Sequence, residues 1–167
     1  MTLRPEHLRR VFGAFPTGVT ALAALIDGVP VGLAANSFTA VSLDPPMVSV
    51  CLARTSSTWP TLRGAARLGV SVLGAHQEWL CRQLSARGVD RFAGARWRTA
   101  ADGGVLFDGC SAWLDCSIDR EIPAGDHDIV LLRVHNLEAD PQVPPLVFHA
   151  SGYRRLDQSI VNPLRVA

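Results

Sequence analysis

The sequence lacks an excess of charge of either sign. Its 167 residues carry 16 Lys and Arg against 15 Asp and Glu, a formal net charge of +1. Chains that bind nucleic acid ordinarily present a basic face, so this balance argues against nucleic acid as the main partner. It also lacks a long hydrophobic run: nothing approaches the roughly 20 apolar residues of a membrane span, and no membrane role is expected. Met1 to Arg10 carries Arg4, Glu6, His7, Arg9 and Arg10 without an apolar stretch, so no signal peptide is expected. Cysteine is sparse. Cys51, Cys81, Cys110 and Cys116 include no C-x-x-C pair, and with the five histidines they form no zinc pattern, so no metal is expected. Three of them lie in apolar patterns, where Cys behaves as a small buried hydrophobe. Without a secretion signal, the expectation is free thiols in a reducing cytoplasm.

Internal repeats, low-complexity tracts and linkers are missing too. With 48% hydrophobic residues, the chain reads as one globular domain over residues 1–167. No G-x-G-x-x-G follows a strand and opens a helix, so a Rossmann nucleotide site is excluded. What is present is a series of short apolar runs cut by turn residues. Glu6 to Phe15 places Leu8, Val11, Phe12 and Phe15 at helical spacing, ended by Pro16 and Gly18. Gly18 to Ile26 and Val29 to Ala35 flank Asp27-Gly28, which predicts a β-hairpin. Phe38 to Leu43 alternates as a strand and stops at Asp44-Pro45-Pro46. Met47 to Ala53 reads as a central strand, Thr58 to Arg67 as a short helix, and Leu68 to Leu73 as a strand. His76 to Arg87 reads as a helix, and Asp90 to Gly104 as a loop anchored by Phe92 and Trp97. Leu114 to Asp119 alternates as a half-exposed strand, Ile129 to Val134 is a buried strand, and Leu146 to His149 a last one. Seven or eight strands with two or three short helices predict a mainly β barrel or sandwich.

Four segments have the chemistry of a site. Gly32 to Thr39 sets small residues beside Asn36, Ser37 and Thr39. Backbone groups there can approach a flat ligand closely, and N–H donors would favour a ring that gathers negative charge; a polar hairpin end has the same composition. Cys51 to Pro60 ends a buried strand with Arg54, Thr55, Ser56, Ser57 and Thr58 before a helix. That suits an anion, with Arg54 as phosphate donor, and equally a helix capped by Ser57 or Thr58. His127 lies between Asp126 and Asp128 after a Gly-Asp turn, poised to titrate or to orient a polar substrate edge, or else simply on the surface. His149 and Tyr153, the only tyrosine, suit a pocket wall or a strand end.

Taken together and in this order, these segments resemble the short-chain flavin reductases that serve two-component flavin monooxygenases. The matching stretches are Phe15-Pro16-Thr17-Gly18-Val19-Thr20, Asn36 to Pro46, Arg54-Thr55-Ser56-Ser57-Thr58-Trp59, Asp90-Arg91-Phe92, Gly125-Asp126-His127 and Leu146 to Tyr153. The resemblance implies a split β-barrel, usually a homodimer, with FAD or FMN near the subunit interface and NADH or NADPH as co-substrate, NADH favoured. It implies that Leu33, Ala34, Ala35, Asn36 and Ser37 touch the isoalloxazine ring and that Thr39 to Ser42 border the ring and ribityl chain. Arg54, Thr55, Ser56, Ser57 and Thr58 would meet the flavin phosphate. His127 and Tyr153 would lie near the nicotinamide, His127 orienting it, and Asp90-Arg91-Phe92 would help close the site. Two positions depart from the family pattern. Ala34 stands where relatives often have Thr, and Leu132 where many have Gly.

The activity so implied is transfer of hydride from NAD(P)H to a flavin that then leaves for a partner monooxygenase. Such a reaction needs ring-to-ring placement more than acid–base groups. Other proteins on this fold bind flavin without reducing it, or use retained flavin on an organic substrate. Arg87, Arg91, Arg96, Arg98, Arg154 and Arg155 are all candidates for a 2′-phosphate, and none stands out. The Ala- and Arg-rich composition points to a bacterial source.

Overall fold

A computed structural model describes residues 3–156. Residues 1–2 and 157–167 lie outside the described residues, and with them both ends of the expected 1–167 domain.

The fold is mainly β and built on one mixed-length antiparallel sheet. Helix α1 (Pro5–Phe12) leads into β1 (Thr17–Gly18), β2 (Thr20–Ile26), β3 (Val29–Ala35), β4 (Thr39–Leu43) and β5 (Pro46–Ala53). Then come α2 (Trp59–Leu62), β6 (Leu68–Val72), α3 (Glu78–Ser85), β7 (Trp97–Thr99) and β8 (Val105–Phe107). The chain continues through β9 (Ala112–Ala124), β10 (His127–Ala139), β11 (Val147–His149) and β12 (Gly152–Arg154). The main sheet has seven strands in the order β3-β2-β6-β9-β10-β5-β4 and stays open, as a split barrel does. A three-stranded sheet β1-β11-β12 and a two-stranded β7-β8 ribbon complete it.

The reason β2 is apolar from Ala21 to Ile26 is that it separates two cores. Leu22 and Ala24 face the barrel interior with Val50, Leu52, Trp59, Leu62, Leu68, Val70, Leu114 and Leu132. Val19, Ala21 and Ala23 face a second core under α3, with Leu73, Leu80, Leu84, Val105 and Phe107. Alternate side chains leave a strand on opposite faces, so a strand buried on both must be apolar throughout.

The turns follow residue chemistry. Asp27 and Gly28 both have positive φ, 51° and 77°, as a two-residue type I′ hairpin requires. Gly125 has φ 67° at the first position of the two-residue turn between β9 and β10, where a type II′ turn needs glycine.

Several expectations are corrected. The helix expected over Thr58 to Arg67 is a single turn, because Gly64 follows at once and favours termination. β5 is not central: only β4 lies beyond it, and its burial alternates. β9 is not half-exposed along its length. Leu114, Asp115 and Cys116 are buried in succession, because β9 runs between β6 and β10 in mid-sheet, and Asp115 is paired with Arg67 at 3.4 Å. The apolar face of α1 buries nothing within the described chain: Phe12 is 70% exposed, and Phe15 just beyond it is 74% exposed. Phe92 and Trp97 do anchor the long loop: Phe92 stacks on Phe107 at 5.4 Å and meets Trp97 edge-on at 6.3 Å.

Candidate functional site

The end of β3 and the segment after it, Leu33 to Ser37, form one wall of a cavity of about 380 Å³. The opposite wall is the end of β5, Cys51 to Ala53, running into Ser56, Ser57 and Thr58. Leu84, Ser85, Arg87 and Arg91 close one side and His127 another. The wall is held by Ser37, whose hydroxyl donates to the Cys51 carbonyl at 2.9 Å and accepts from the Cys51 N–H at 2.9 Å. That pair ties the two walls together where no ladder joins them. A second cavity of about 230 Å³ shares Ala34, Ala35, Asn36 and Ser85 with the first and adds Val19, Cys81, Phe148 and Tyr153. Small side chains at Ala34 and Ala35 leave backbone open to both.

The hydroxyl-rich corner is ordered by side chains from three elements. Ser56 Oγ accepts from the N–H of Thr58 at 3.3 Å and of Trp59 at 3.1 Å. Ser56, rather than Ser57 or Thr58, therefore caps the turn. This leaves the Thr58 hydroxyl for another partner, and Arg91 Nη1 donates to it at 2.7 Å. Arg91 also donates to the carbonyls of Gly32 at 3.0 Å and Ala86 at 2.9 Å. One guanidinium thus joins β3, the end of α3 and the approach to α2.

Arg54 stands elsewhere. It is paired with Asp128, Nε to Oδ1 3.0 Å, and does not line either cavity. The cross-strand register explains this: Ala53 lies opposite His127 and Leu52 opposite Asp128, which brings Arg54 to the Asp128 carboxylate. Thr55, and Thr39 and Ser42 on edge strand β4, also lie outside both cavities. Phe92 lines neither. Leu132 is buried in the barrel core, so its side chain cannot reach a ligand. Residues not marked as flavin contacts by the sequence, Cys51, Leu84, Ser85, Arg87 and Arg91, do line the first cavity. Arg87 was visible only as one of several candidate cations, and Arg91 also as part of the Asp90-Arg91-Phe92 stretch expected to help close the site.

His127 Nδ1 lies 2.7 Å from Asp126 Oδ1. This hydrogen bond holds the Asp126 carboxyl below its ordinary range. A carboxylate acceptor at Nδ1 keeps the proton of the neutral ring there, so Nε2 is its free acceptor. Tyr153 is different. Its hydroxyl donates to Cys81 Sγ at 3.1 Å, its ring carries the Arg82 guanidinium at 4.9 Å, and Phe148 packs edge-on at 5.6 Å. Burial, then the Cys81 contact, pushes its pKa up to about 12. Tyr153 is a neutral wall at physiological pH.

The four thiols are free, and only Cys51 is partly exposed. Burial pushes Cys110 up to about 11 and Cys116 up to about 12, and raises Cys81. Thiolate is the reactive species, so maleimide at pH 8 should label Cys51 well before the others. Mass mapping checks this. Faster labelling of Cys110 or Cys116 would contradict the burial described.

A model of the flavin reductase like domain matches residues 12–157. The reductase subunit HsaB of a flavin-dependent monooxygenase from Rhodococcus jostii is 36% identical over 163 residues, covering 96% of this chain and 84% of that protein. Nitrilotriacetate monooxygenase component B from Mycobacterium thermoresistibile superposes with a TM-score of 0.92 at 34% identity, over 97% of this chain and 92% of that one. The NADH:FAD oxidoreductase SgcE6 of Streptomyces globisporus, in complex with NAD and FAD fragments, has a TM-score of 0.87 at 36% identity, over 95% and 98% of the two chains.

Proposed function

Because the chain belongs to the flavin reductase like domain family, we propose that the first cavity is its flavin site and the second admits the nicotinamide. The chain is an NAD(P)H:flavin oxidoreductase that supplies reduced flavin to a partner monooxygenase, a reading supported by relatives named as the reductase subunit or flavin reductase component of a larger system. The observation that carries the site assignment is the junction of a small-residue wall with a corner of hydroxyls and an arginine that has only neutral partners. A flat ring with a phosphate tail needs that combination. No helix among the described residues is long and apolar enough to cross a membrane, and the free thiols suit a reducing cytoplasm.

Flavin, when bound, accepts a hydride from the nicotinamide. The chain's own residues do the placing. Backbone and side chains from Leu33 to Ser37 hold the ring edge, while Ser57, Thr58 and Arg91 hold the phosphate. Arg54 takes no such part in this assignment, since its charge is met by Asp128. His127 lines the flavin cavity and not the second one, so its Nε2 reaches the carboxamide where the nicotinamide stacks over the flavin ring, while Tyr153 and Phe148 exclude water from the second cavity. Reacting atoms held at roughly 3–3.5 Å need no further acid or base.

The first test is NADH oxidation with and without added FMN or FAD. Oxidation that requires added flavin is expected, with NADH preferred to NADPH. Flavin binding without oxidation would instead favour a non-enzymatic flavin carrier. His127→Ala should raise KM for NADH about 3–10-fold, the worth of one hydrogen bond, with kcat little changed. An unaltered KM would remove His127 from the site. We also propose a homodimer, with the exposed Phe12, Phe15 and Leu43 covered by the second copy. Sedimentation should then give twice the 17.9 kDa chain mass.

A further inference from the structure

We propose that Gln83 is a positioning residue for the flavin phosphate: its side-chain amide fixes the main chain that carries Arg91, and so aims the guanidinium into the cavity. The inference rests on the flavin-site reading above.

It starts from the donors of Arg91. An arginine has five N–H groups in a planar fork. Nε donates to the Ala86 carbonyl at 2.9 Å. Nη1 uses both of its protons, on the Gly32 carbonyl at 3.0 Å and on the Thr58 hydroxyl at 2.7 Å. Nη2 has no partner among the described residues, although Arg91 lines the cavity. Its two protons are the ones left for a phosphate. The other three bonds fix the plane of the fork, as long as the Arg91 main chain stays in place.

That main chain has little regular structure to hold it. Residues 86–96 join α3 to β7 without a helix or a strand. Asp90 makes a local turn, with Oδ1 accepting from the Phe92 N–H at 2.9 Å. The Phe92 ring packs on Phe107 and Trp97. Packing fixes the ring, not the peptide planes that follow Arg91 and Ala93. Gln83 fixes those. Its Nε2 donates to the Arg91 carbonyl at 3.0 Å and to the Ala93 carbonyl at 2.8 Å, which uses both amide protons.

The hold is reciprocal. Gln83 stands in the last turn of α3, and Arg91 Nε closes on Ala86, the residue that ends that helix. Helix and loop therefore clasp each other, main chain to side chain in both directions. Gln83 itself lines neither the flavin cavity nor the second one, whereas its neighbours Leu84 and Ser85 line the first. It can act on a ligand only through Arg91. The chemistry demands an amide donor here. A glutamate has the same size but only accepts when ionised, and would set its charge against two carbonyl oxygens.

Gln83→Glu is therefore the test, read by fluorescence titration. Kd for FMN should rise about 5–10-fold, the worth of about one hydrogen bond. Riboflavin, which has no phosphate, should bind within about twofold of wild type, and KM for NADH should change as little. In an Arg91→Ala background the same substitution should alter FMN affinity less than about twofold, because the group it aims is gone. Gln83→Ala should behave in the same way and serves if Gln83→Glu does not fold. FMN affinity that is unchanged in the Gln83 variants overturns the inference. So does equal weakening of riboflavin, which would mark a general loosening of α3, or an effect that persists in full without Arg91. In each of those cases a loss of FMN affinity in Arg91→Ala alone leaves the flavin-site reading standing. FMN binding unaffected by Arg91→Ala, or no flavin binding by wild type, overturns both.

Discussion

Gly69→Ala is expected to destabilise the protein more than alanine at any other glycine among the described residues. A Cβ at Gly69 would lie 2.0 Å from the Val105 carbonyl oxygen and 2.5 Å from its carbon. Both are backbone atoms, so no rotamer change relieves the contact. β6 would have to move away from β8, yet it is hydrogen-bonded into mid-sheet, with Leu22 opposite Val70 on one side and Leu114 on the other. Overpacking against fixed structure costs about 3 kcal/mol or more, which for a chain of this size lowers Tm by roughly 6–12 °C. Gly18→Ala is the control. Nothing lies within 4 Å of the added methyl there, and the backbone is not left-handed. Thermal melts of the two variants should separate clearly. A Gly69→Ala melt within about 2 °C of wild type would mean that β6 and β8 do not approach as described.

Arg91→Ala is expected to have the largest effect on flavin affinity. On the proposed flavin assignment, the substitution removes a charge-assisted contact to phosphate, worth about 1.5–3 kcal/mol. It also frees the Gly32 and Ala86 carbonyls and the Thr58 hydroxyl that Arg91 now holds. Kd for FMN should rise about 10–100-fold. Riboflavin, which has no phosphate, should be affected much less. Arg91→Lys keeps the charge, but a single ammonium cannot span three acceptors, so its affinity should fall between the two. Arg54→Ala makes the contrast, because that side chain is paired with Asp128 and lies outside the cavity. An FMN affinity within twofold of wild type for Arg91→Ala, or a larger loss for Arg54→Ala, would place the phosphate elsewhere.

The contrast between these two arginines marks what could be read from sequence. Arg54 stands in a run of hydroxyl residues at the end of a strand, which by composition alone is a phosphate site. Its partner is 74 residues away on β10. Arg91 stands in the Asp90-Arg91-Phe92 stretch, and while its Ala86 partner is five residues away, Gly32 and Thr58 are 59 and 33 residues distant. Nothing local distinguishes the paired cation from the one with neutral partners. Gly69 is similar. Between Leu68 and Val70 it reads as one more residue of an apolar strand, and only the crossing of the Gly104-Val105 segment makes it obligatory. Cys81 and Tyr153 meet at 3.1 Å across 72 residues, and neither reveals the other in the chain.

The local order was legible. Alternating and continuous apolar runs gave most strands of the main sheet, and Asp27-Gly28 and Gly125-Asp126 marked two of its two-residue turns. The small-polar segment Leu33 to Ser37 and the hydroxyls Ser56 to Thr58 were visible as candidate ligand contacts. These features depend on φ preference and on side-chain period, which act over two to four residues. By itself, then, the sequence determined a β protein with a flavin-reductase pattern of motifs. The tertiary structure alone decided which of its charges face the cavity. It also decided which hydroxyl caps a turn. Those outcomes depend on strand order and register, which bring distant residues together and cannot be read from any one stretch of chain.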